Sequence, residues 1–302
     1  MIHLVTGGAG FIGSHIAEAL LKRGDEVRIL DDLSTGKRAN VPKGAELIVG
    51  KVQDPPEHIF AGVDTVFHQA ALPSVPRSIE APTETHEATA TGTLQILKAA
   101  QRAGVRRVVY AGSSSAYGGL GDQQREGDTT RTLSPYAAAK LCGECYCQAF
   151  YRSYGLETVV LRYFNVFGPR QDPESPYAAV IPKFITAILA GNQPTIYGDG
   201  FTSRDFTPVA NIVEANLLAM EAERAPGEVF NVAMGGSVHL RALVELINEA
   251  LGTEAEPMFL DERPGDVKHS AANIAKAKHL LRYRPVESVR VGLRRTIKFL
   301  KG

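Results

Sequence analysis

An apolar run from Ile2 to Thr6 ends in Gly7-Gly8-Ala9-Gly10-Phe11-Ile12-Gly13, and a helical pattern begins at Phe11 and runs to Arg23 before Gly24. This feature constrains the chain more than any other. Glycines spaced G-x-x-G-x-x-G between a strand and a helix permit a tight turn, close approach of backbone to a pyrophosphate, and close helix–strand packing. The free N–H groups at the start of the helix then face the phosphates. A lone glycine triplet is weak, but here the strand–turn–helix context is present and an acid follows the next strand, Val27 to Leu30. That acid, Asp31, stands eighteen residues after Gly13. A carboxylate there binds adenosine ribose hydroxyls and repels a 2′-phosphate, which favours NAD over NADP. Lys37 and Arg38 nearby pull the other way.

The alternation continues. Leu47 to Val49, Thr65 to Phe67 and Val108 to Ala111 read as strands, and Thr83 to Ala103 carries one long helical pattern before Gly104. Strands and helices in alternation with short connections imply βαβ units and a parallel sheet. Ser134 is suited to cap a helix, with Pro135 as its first residue and Tyr136 to Tyr154 as its body. Thr158 to Leu161 is the next strand. After Asn165 the texture changes, with six prolines from Pro169 to Pro208 and Gly198-Asp199-Gly200 cutting the chain into shorter pieces. The second part reads as a smaller domain packed on the first without a flexible linker.

Composition narrows the function classes. Lys plus Arg and Asp plus Glu each number 33 among 302 residues, so the formal net charge is zero. A nucleic-acid protein is therefore not expected. No stretch approaches about 18 apolar residues, so no membrane span is expected. The first residues lack a basic n-region, which argues against a signal peptide. The only cysteines, Cys142, Cys145 and Cys147, do not make a disulfide framework, and a cytoplasmic setting fits. They read as small buried helix residues, not metal ligands, because Cys147 points well away from the face that Cys142 and Cys145 share. No metal is expected.

Tyr136-Ala-Ala-Ala-Lys140 places a phenol and an ammonium one helical turn apart. A free tyrosine is a poor base at neutral pH. A nearby lysine, the helix N-terminus and an oxidised nicotinamide would each lower its pKa. Upstream, Tyr110-Ala-Gly-Ser113-Ser114-Ser115-Ala-Tyr117-Gly118 follows a strand of the same sheet. A serine at a strand's carboxyl end points into the crevice where α/β sheets bind ligands. The run is not a nucleophile elbow, because Ala116 stands where the second glycine belongs.

With these motifs assembled, the sequence resembles the extended short-chain dehydrogenase/reductase superfamily, and within it the UDP-hexose 4-epimerases, including the N-acetylhexosamine branch. The resemblance spans nearly the whole chain. It is carried by GGAGFIG at 7–13, LDDLS at 30–34, HQAA at 68–71, SSSAYG at 113–118, SPYAAAK at 134–140, LRYFNVFGPRQ at 161–171, YGDG at 197–200, SRDF at 203–206 and RPGD at 263–266. It implies a Rossmann-type α/β fold, a parallel sheet with helices on both faces, plus a smaller C-terminal α/β substrate domain. On that reading residues 1–166 hold NAD and 167–302 hold the UDP-sugar, with a possible crossing back to the first domain.

The resemblance also implies roles. Gly7, Gly10, Phe11, Ile12, Gly13, Asp31, Asp32, Gln69, Ala70 and Ala71 line the cofactor, with Tyr136 and Lys140. Tyr136 as phenolate takes the proton from the sugar 4-hydroxyl, helped by a serine, while the C4 hydride passes to NAD and returns to the opposite face of a 4-keto sugar. Counting four back from Tyr117 gives Ser113 as that serine; aligning the serine runs differently gives Ser114 or Ser115. Asn165, Arg204, Arg263 and Asp266 are expected at the diphosphate, sugar and uridine, and Ser270 at a pocket wall. A small residue there admits a 2-N-acetyl group, so UDP-GlcNAc and UDP-GalNAc are expected to fit along with UDP-glucose and UDP-galactose. The helices at 83–103 and 135–154 imply a homodimer. Lys51, Thr89 and Ala210-Asn211 depart from the usual pattern. Ser114 and Ser115 stand where related dehydratases carry acids, which argues against dehydration. The alternatives are a UDP-uronate 4-epimerase or decarboxylase, and a non-catalytic dinucleotide sensor, which typically loses the tyrosine or the lysine.

Overall fold

The computed structural model describes residues 1–119, 123–175, 178–262 and 268–302. In the first half, β1 (Ile2–Thr6), α1 (Phe11–Lys22), β2 (Glu26–Asp31), β3 (Glu46–Val49), β4 (Val63–His68), α2 (Val75–Glu80), α3 (Pro82–His86), α4 (Gly92–Arg102), β5 (Arg107–Ser113), α5 (Pro135–Tyr154) and β6 (Glu157–Tyr163) follow in order. The second half continues with β7 (Val166–Phe167), α6 (Val180–Leu189), β8 (Thr195–Tyr197), β9 (Ser203–Arg204), β10 (Thr207–Pro208), α7 (Val209–Glu221) and β11 (Val229–Val232). It closes with β12 (Val238–His239), α8 (Leu240–Leu251), β13 (Met258–Leu260), β14 (His269–Ser270) and α9 (Val289–Lys301).

Seven parallel strands form the main sheet in the order β11-β6-β5-β4-β1-β2-β3. Their apolar runs are buried on both faces, as parallel strands between helical layers require. One core lies between the sheet and α1 with α7; the other lies between the sheet and α4 with α5. The strand order reverses between β1 and β4, and ligands of such sheets bind outside the carboxyl ends of strands at that point. Thr6, Asp31, His68, Ser113 and Tyr163 all end strands on this one edge.

The chain reaches the sheet again late. After Pro208, α7 packs beneath it and β11 pairs with β6. The remaining second-half elements build their own core from Ile181, Phe184, Ile185, Ile196, Leu243, Ile247, Leu293 and Ile297. Three small sheets join them: β10 with β7, β12-β9-β14, and β13 with β8.

The helix expected over 83–103 runs from Pro82 to Arg102 and is not uniformly α-helical. After α3, Glu87–Thr91 widens into a π turn before α4 begins at Gly92. Two contacts account for the change. The Thr93 hydroxyl donates to the Thr89 carbonyl at 2.6 Å, competing within the helix ladder. A side chain at Gly92 would meet Val52 Cγ2 at 2.6 Å, so the helix lies tight on the loop after β3. The cysteines also differ from expectation: only Cys147 is buried, while Cys142 is half-buried and Cys145 exposed. Asn211 shows why an amide serves there. Its Nδ2 donates to Glu287 O at 2.8 Å while its Oδ1 accepts from Val286 N and Glu287 N, and a carboxylate cannot do both. No helix of the described residues is long and apolar enough to cross a membrane.

Candidate active site

The glycine turn leaves backbone N–H groups bare at the start of α1. Gly10 caps α1 without a side-chain bond, so the first-turn N–H groups have no intrahelical acceptor. A Cβ on Gly13 would lie 2.2 Å from Gly7 O. Gly7, at φ +68°, would put one 2.8 Å from Ala70 N across the gap between β1 and β4. Phe11 and Ile12 are half-buried beside it, and Gln69, Ala70 and Ala71 form the opposite lip. This cradle of bare backbone N–H groups at a helix start fits a dinucleotide pyrophosphate.

Asp31 closes the cradle. Its two carboxylate oxygens accept from Ala9 N at 2.9 Å and Leu33 N at 2.8 Å, while burial pushes its pKa up. Each oxygen keeps a lone pair for a ribose hydroxyl. Gly36 must be glycine, since a Cβ there would touch Asp31 Oδ1 at 2.7 Å. Asp32 is exposed and takes the Ser34 hydroxyl and N–H. Lys37 is turned to Asp172, 3.1 Å away in an exposed pair. Lys51 is exposed.

One group here escaped the sequence reading. His68, within HQAA at the end of β4, is wholly enclosed. Thr6 Oγ1 lies 2.6 Å from its Nδ1 and Thr93 Oγ1 lies 3.0 Å from its Nε2. The Thr93 proton goes to Thr89 O, so Thr93 must accept from Nε2–H and Nδ1 must accept from Thr6. Burial holds the ring neutral, with its pKa lowered to about 3. Thr6 Oγ1 also takes the Ala70 N–H at 3.3 Å, so the chain of bonds fixes one lip of the cradle. A histidine directly after an apolar strand was the available signal.

At the end of β5 the serine run meets α5. Ser134 caps that helix by accepting from Ala137 N at 3.2 Å. Tyr136, on the first turn, lies close enough to Ser113 for that hydroxyl to favour the ionised phenol. Ser113 Oγ already accepts from Ser115 Oγ at 2.8 Å and Ser115 N at 3.2 Å. Neither of those bonds uses its own proton. Burial pushes the Tyr136 pKa up, and the Ser113 hydroxyl opposes that rise. Lys140, one turn on and 4% exposed, donates to Ala111 O at 2.8 Å and lies 5.1 Å from the Tyr110 ring centre. Burial lowers its pKa to about 8. Gly143 makes room for Tyr110, whose hydroxyl donates to Lys140 O at 3.1 Å.

The remaining candidates lie after β6 and on the small β12-β9-β14 sheet. Asn165, at φ +36°, donates to Asp205 O at 3.4 Å. Arg204 on β9 is half-buried and donates to Ser203 O at 2.9 Å. Ser270 on β14 is its register partner and is half-buried as well. Arg263 and Asp266 lie outside the described residues.

The sequence profile of the NAD dependent epimerase/dehydratase family matches residues 3–233. Among solved structures, a UDP-N-acetylglucosamine 4-epimerase of Methanobrevibacter ruminantium, in complex with UDP-N-acetylmuramic acid, is 42% identical with TM-score 0.95, over 99% of this chain and 97% of that one. A UDP-glucose 4-epimerase of Thermotoga maritima with UDP-glucose is 36% identical with TM-score 0.93, over 100% and 99%. One of Thermus thermophilus with NAD is 37% identical with TM-score 0.90, also over 100% and 99%. Of relatives known by sequence, a UDP-glucose 4-epimerase of Mycolicibacterium smegmatis is 34% identical over 99% of this chain and 98% of its own. A UDP-N-acetyl-α-D-glucosaminuronate decarboxylase of Bacillus cytotoxicus is 32% identical over 99% and 97%. With its Rossmann-type sheet, its glycine cradle and a family match over most of its length, this chain belongs to the NAD dependent epimerase/dehydratase family of enzymes.

Proposed function

We propose that this enzyme inverts C4 of a UDP-hexose, interconverting UDP-glucose with UDP-galactose and UDP-GlcNAc with UDP-GalNAc. The observation that carries the reading is the Ser113–Tyr136 pair, set where β5 ends, on the same sheet edge as the strand ends that flank the glycine cradle. Bound NAD supplies a hydride acceptor, and afterwards a donor, at the sugar C4. Tyr136 Oη takes the proton of the 4-hydroxyl and gives it back after the 4-keto sugar has turned about its diphosphate link. Ser113 donates to the reacting oxygen and steadies the negative charge there. Lys140 holds positive charge beneath the helix turn. Arg204 and Arg263 pair with the diphosphate, whose planar recognition suits guanidinium groups. Asn165 and Asp266 complete the contacts to the nucleotide-sugar.

Ser270 leaves space at the sugar's 2-position, which supports the acetylated substrates. The solved archaeal neighbour that bears the N-acetylglucosamine name points the same way. We propose a cytoplasmic homodimer packed through α4 and α5. The test is to incubate protein, without added NAD, with each of the four UDP-hexoses and follow products by NMR. Epimer pairs are expected in all four cases. Activity on UDP-galactose but not UDP-GalNAc sinks the acetylated part, and no epimer from any of the four, with carbon dioxide released from UDP-glucuronate in a parallel incubation, sinks epimerisation in favour of the decarboxylase reading.

A further inference from the structure

Asp205 lies between Arg204 and Phe206 and is wholly enclosed. None of the described cations pairs with it. Its carboxylate is instead held by backbone. Oδ1 accepts from Met234 N at 2.9 Å, and Oδ2 accepts from Gly235 N at 3.0 Å and, at a longer 3.4 Å, from Ala272 N. Its main chain is engaged as well. The N–H donates to Ser270 O at 2.8 Å, and the carbonyl accepts from Asn165 Nδ2 at 3.4 Å.

These bonds join three separate segments. Met234 and Gly235 follow β11, the last strand of the main sheet. Ala272 follows β14, and the segment 271–273 is also stitched to Gln124 through Gln124 N to Ala271 O and Asn273 N to Gln124 O. Asp205 itself extends β9. Every described second-half candidate for the substrate thus meets this one residue: Arg204 is its chain neighbour, Ser270 takes its N–H, and Asn165 reaches its carbonyl.

We propose that Asp205 is a positioning residue for the UDP-sugar: its carboxylate docks the β12-β9-β14 sheet onto the end of β11 and thereby sets Arg204, Ser270 and Asn165 relative to the reacting end of the crevice. The inference rests on the UDP-sugar reading given above. Burial keeps the carboxyl pKa high, about 6, so ionisation at neutral pH is unfavourable for the fold. A neutral isostere relieves that penalty while it loses acceptor capacity, so Asp205→Asn is expected to fold.

In Asp205→Asn holoenzyme, the KM for UDP-galactose and the Kd for UDP by calorimetry should each rise at least about tenfold, as the loss of charge-assisted bonds implies. The kcat should stay within about threefold, because the proton path is untouched. Bound NAD should be unchanged, and Asp205→Ala should raise KM further, since Asn keeps one acceptor. KM and Kd within about twofold of wild type, or a kcat loss at constant KM, overturns the proposal. If neither variant folds, hydrogen exchange on the wild-type holoenzyme decides: the Met234, Gly235 and Ala272 amides should be protected and should slow further with saturating UDP. Amides that exchange freely, or ignore UDP, overturn it equally. A wild type that binds UDP and turns nothing over refutes the epimerase reading, and UDP affinity then judges Asp205 alone.

Discussion

The Arg162 guanidinium grips the Glu144 carboxylate through Nε at 2.9 Å and Nη2 at 2.6 Å, in a place where the two side chains are 4% and 8% exposed. The same guanidinium lies 4.6 Å from the ring centre of Tyr117, which ends the turn after the serine run. Glu144 stands one turn beyond Lys140 on α5. The pair therefore ties the helix of Tyr136 and Lys140 to β6 and to the Ser113 loop. Removing one partner leaves a buried charge, so Glu144→Ala should lose about 3–5 kcal/mol of stability. The double change to Leu at both positions should recover most of that loss. Denaturant midpoints of the three proteins decide it.

Tyr136→Phe should lower kcat about 10²- to 10⁴-fold, the usual worth of a positioned acid–base. Ser113→Ala should lower it by about 10- to 10³-fold, since the proposed donor to the reacting oxygen is lost. Ser114→Ala should stay within about twofold, since half-buried Ser114 is not the serine assigned to the reacting oxygen. If Ser114→Ala is the damaging variant instead, Ser113 is not the helper. Turnover by NMR or a coupled assay reads all three.

Lys140 is a protonated group whose folded pKa, about 8, lies below its ordinary 10.5. The charged form is therefore the penalised one. The penalty is full below pH 8, fades between 8 and 10.5, and is absent above that. It amounts to about 3 kcal/mol. Lys140→Met removes it but also loses the bond to Ala111 O, so at pH 7 the nucleotide-free variant should be more stable by about 1–2 kcal/mol. The gap should narrow as pH rises towards 10.5, while epimerisation is lost at every pH. Thermal melts from pH 7 to 10 provide the check, and a variant less stable than wild type at pH 7 contradicts it.

Asp31 supports the turn and, on the proposed reading, the ribose of NAD. Asp31→Ala leaves the Ala9 and Leu33 N–H groups without their acceptor, at a cost of about 1–3 kcal/mol. Retained NAD should fall below stoichiometric levels. Wild-type protein released by acid should yield NAD in preference to NADP. Equal amounts of the two would remove the basis for reading Asp31 as the selector.

Some of this was legible in residue order because it is local. A glycine turn between an apolar strand and a helix is decided by backbone sterics within seven residues, and strand–helix alternation by the period of burial. Ser134-Pro135 announces the start of α5 by capping chemistry alone. The π turn at Glu87–Thr91 was not legible, because it depends on Val52 pressing against Gly92 and on the place of Thr93 beside His68, both distant in sequence.

The site divides the same way. Sequence by itself determined the parallel α/β class, the phosphate-facing turn, and the tyrosine and lysine one turn apart on a helix, since each follows from short-range geometry. Only tertiary structure decided which serine faces Tyr136, that His68 is a neutral link between Thr6 and Thr93, and that Asn165, Arg204 and Ser270 gather at Asp205. Those relationships cross up to about a hundred residues of chain. They come from how sheets and helices dock, and no local pattern of residues encodes that.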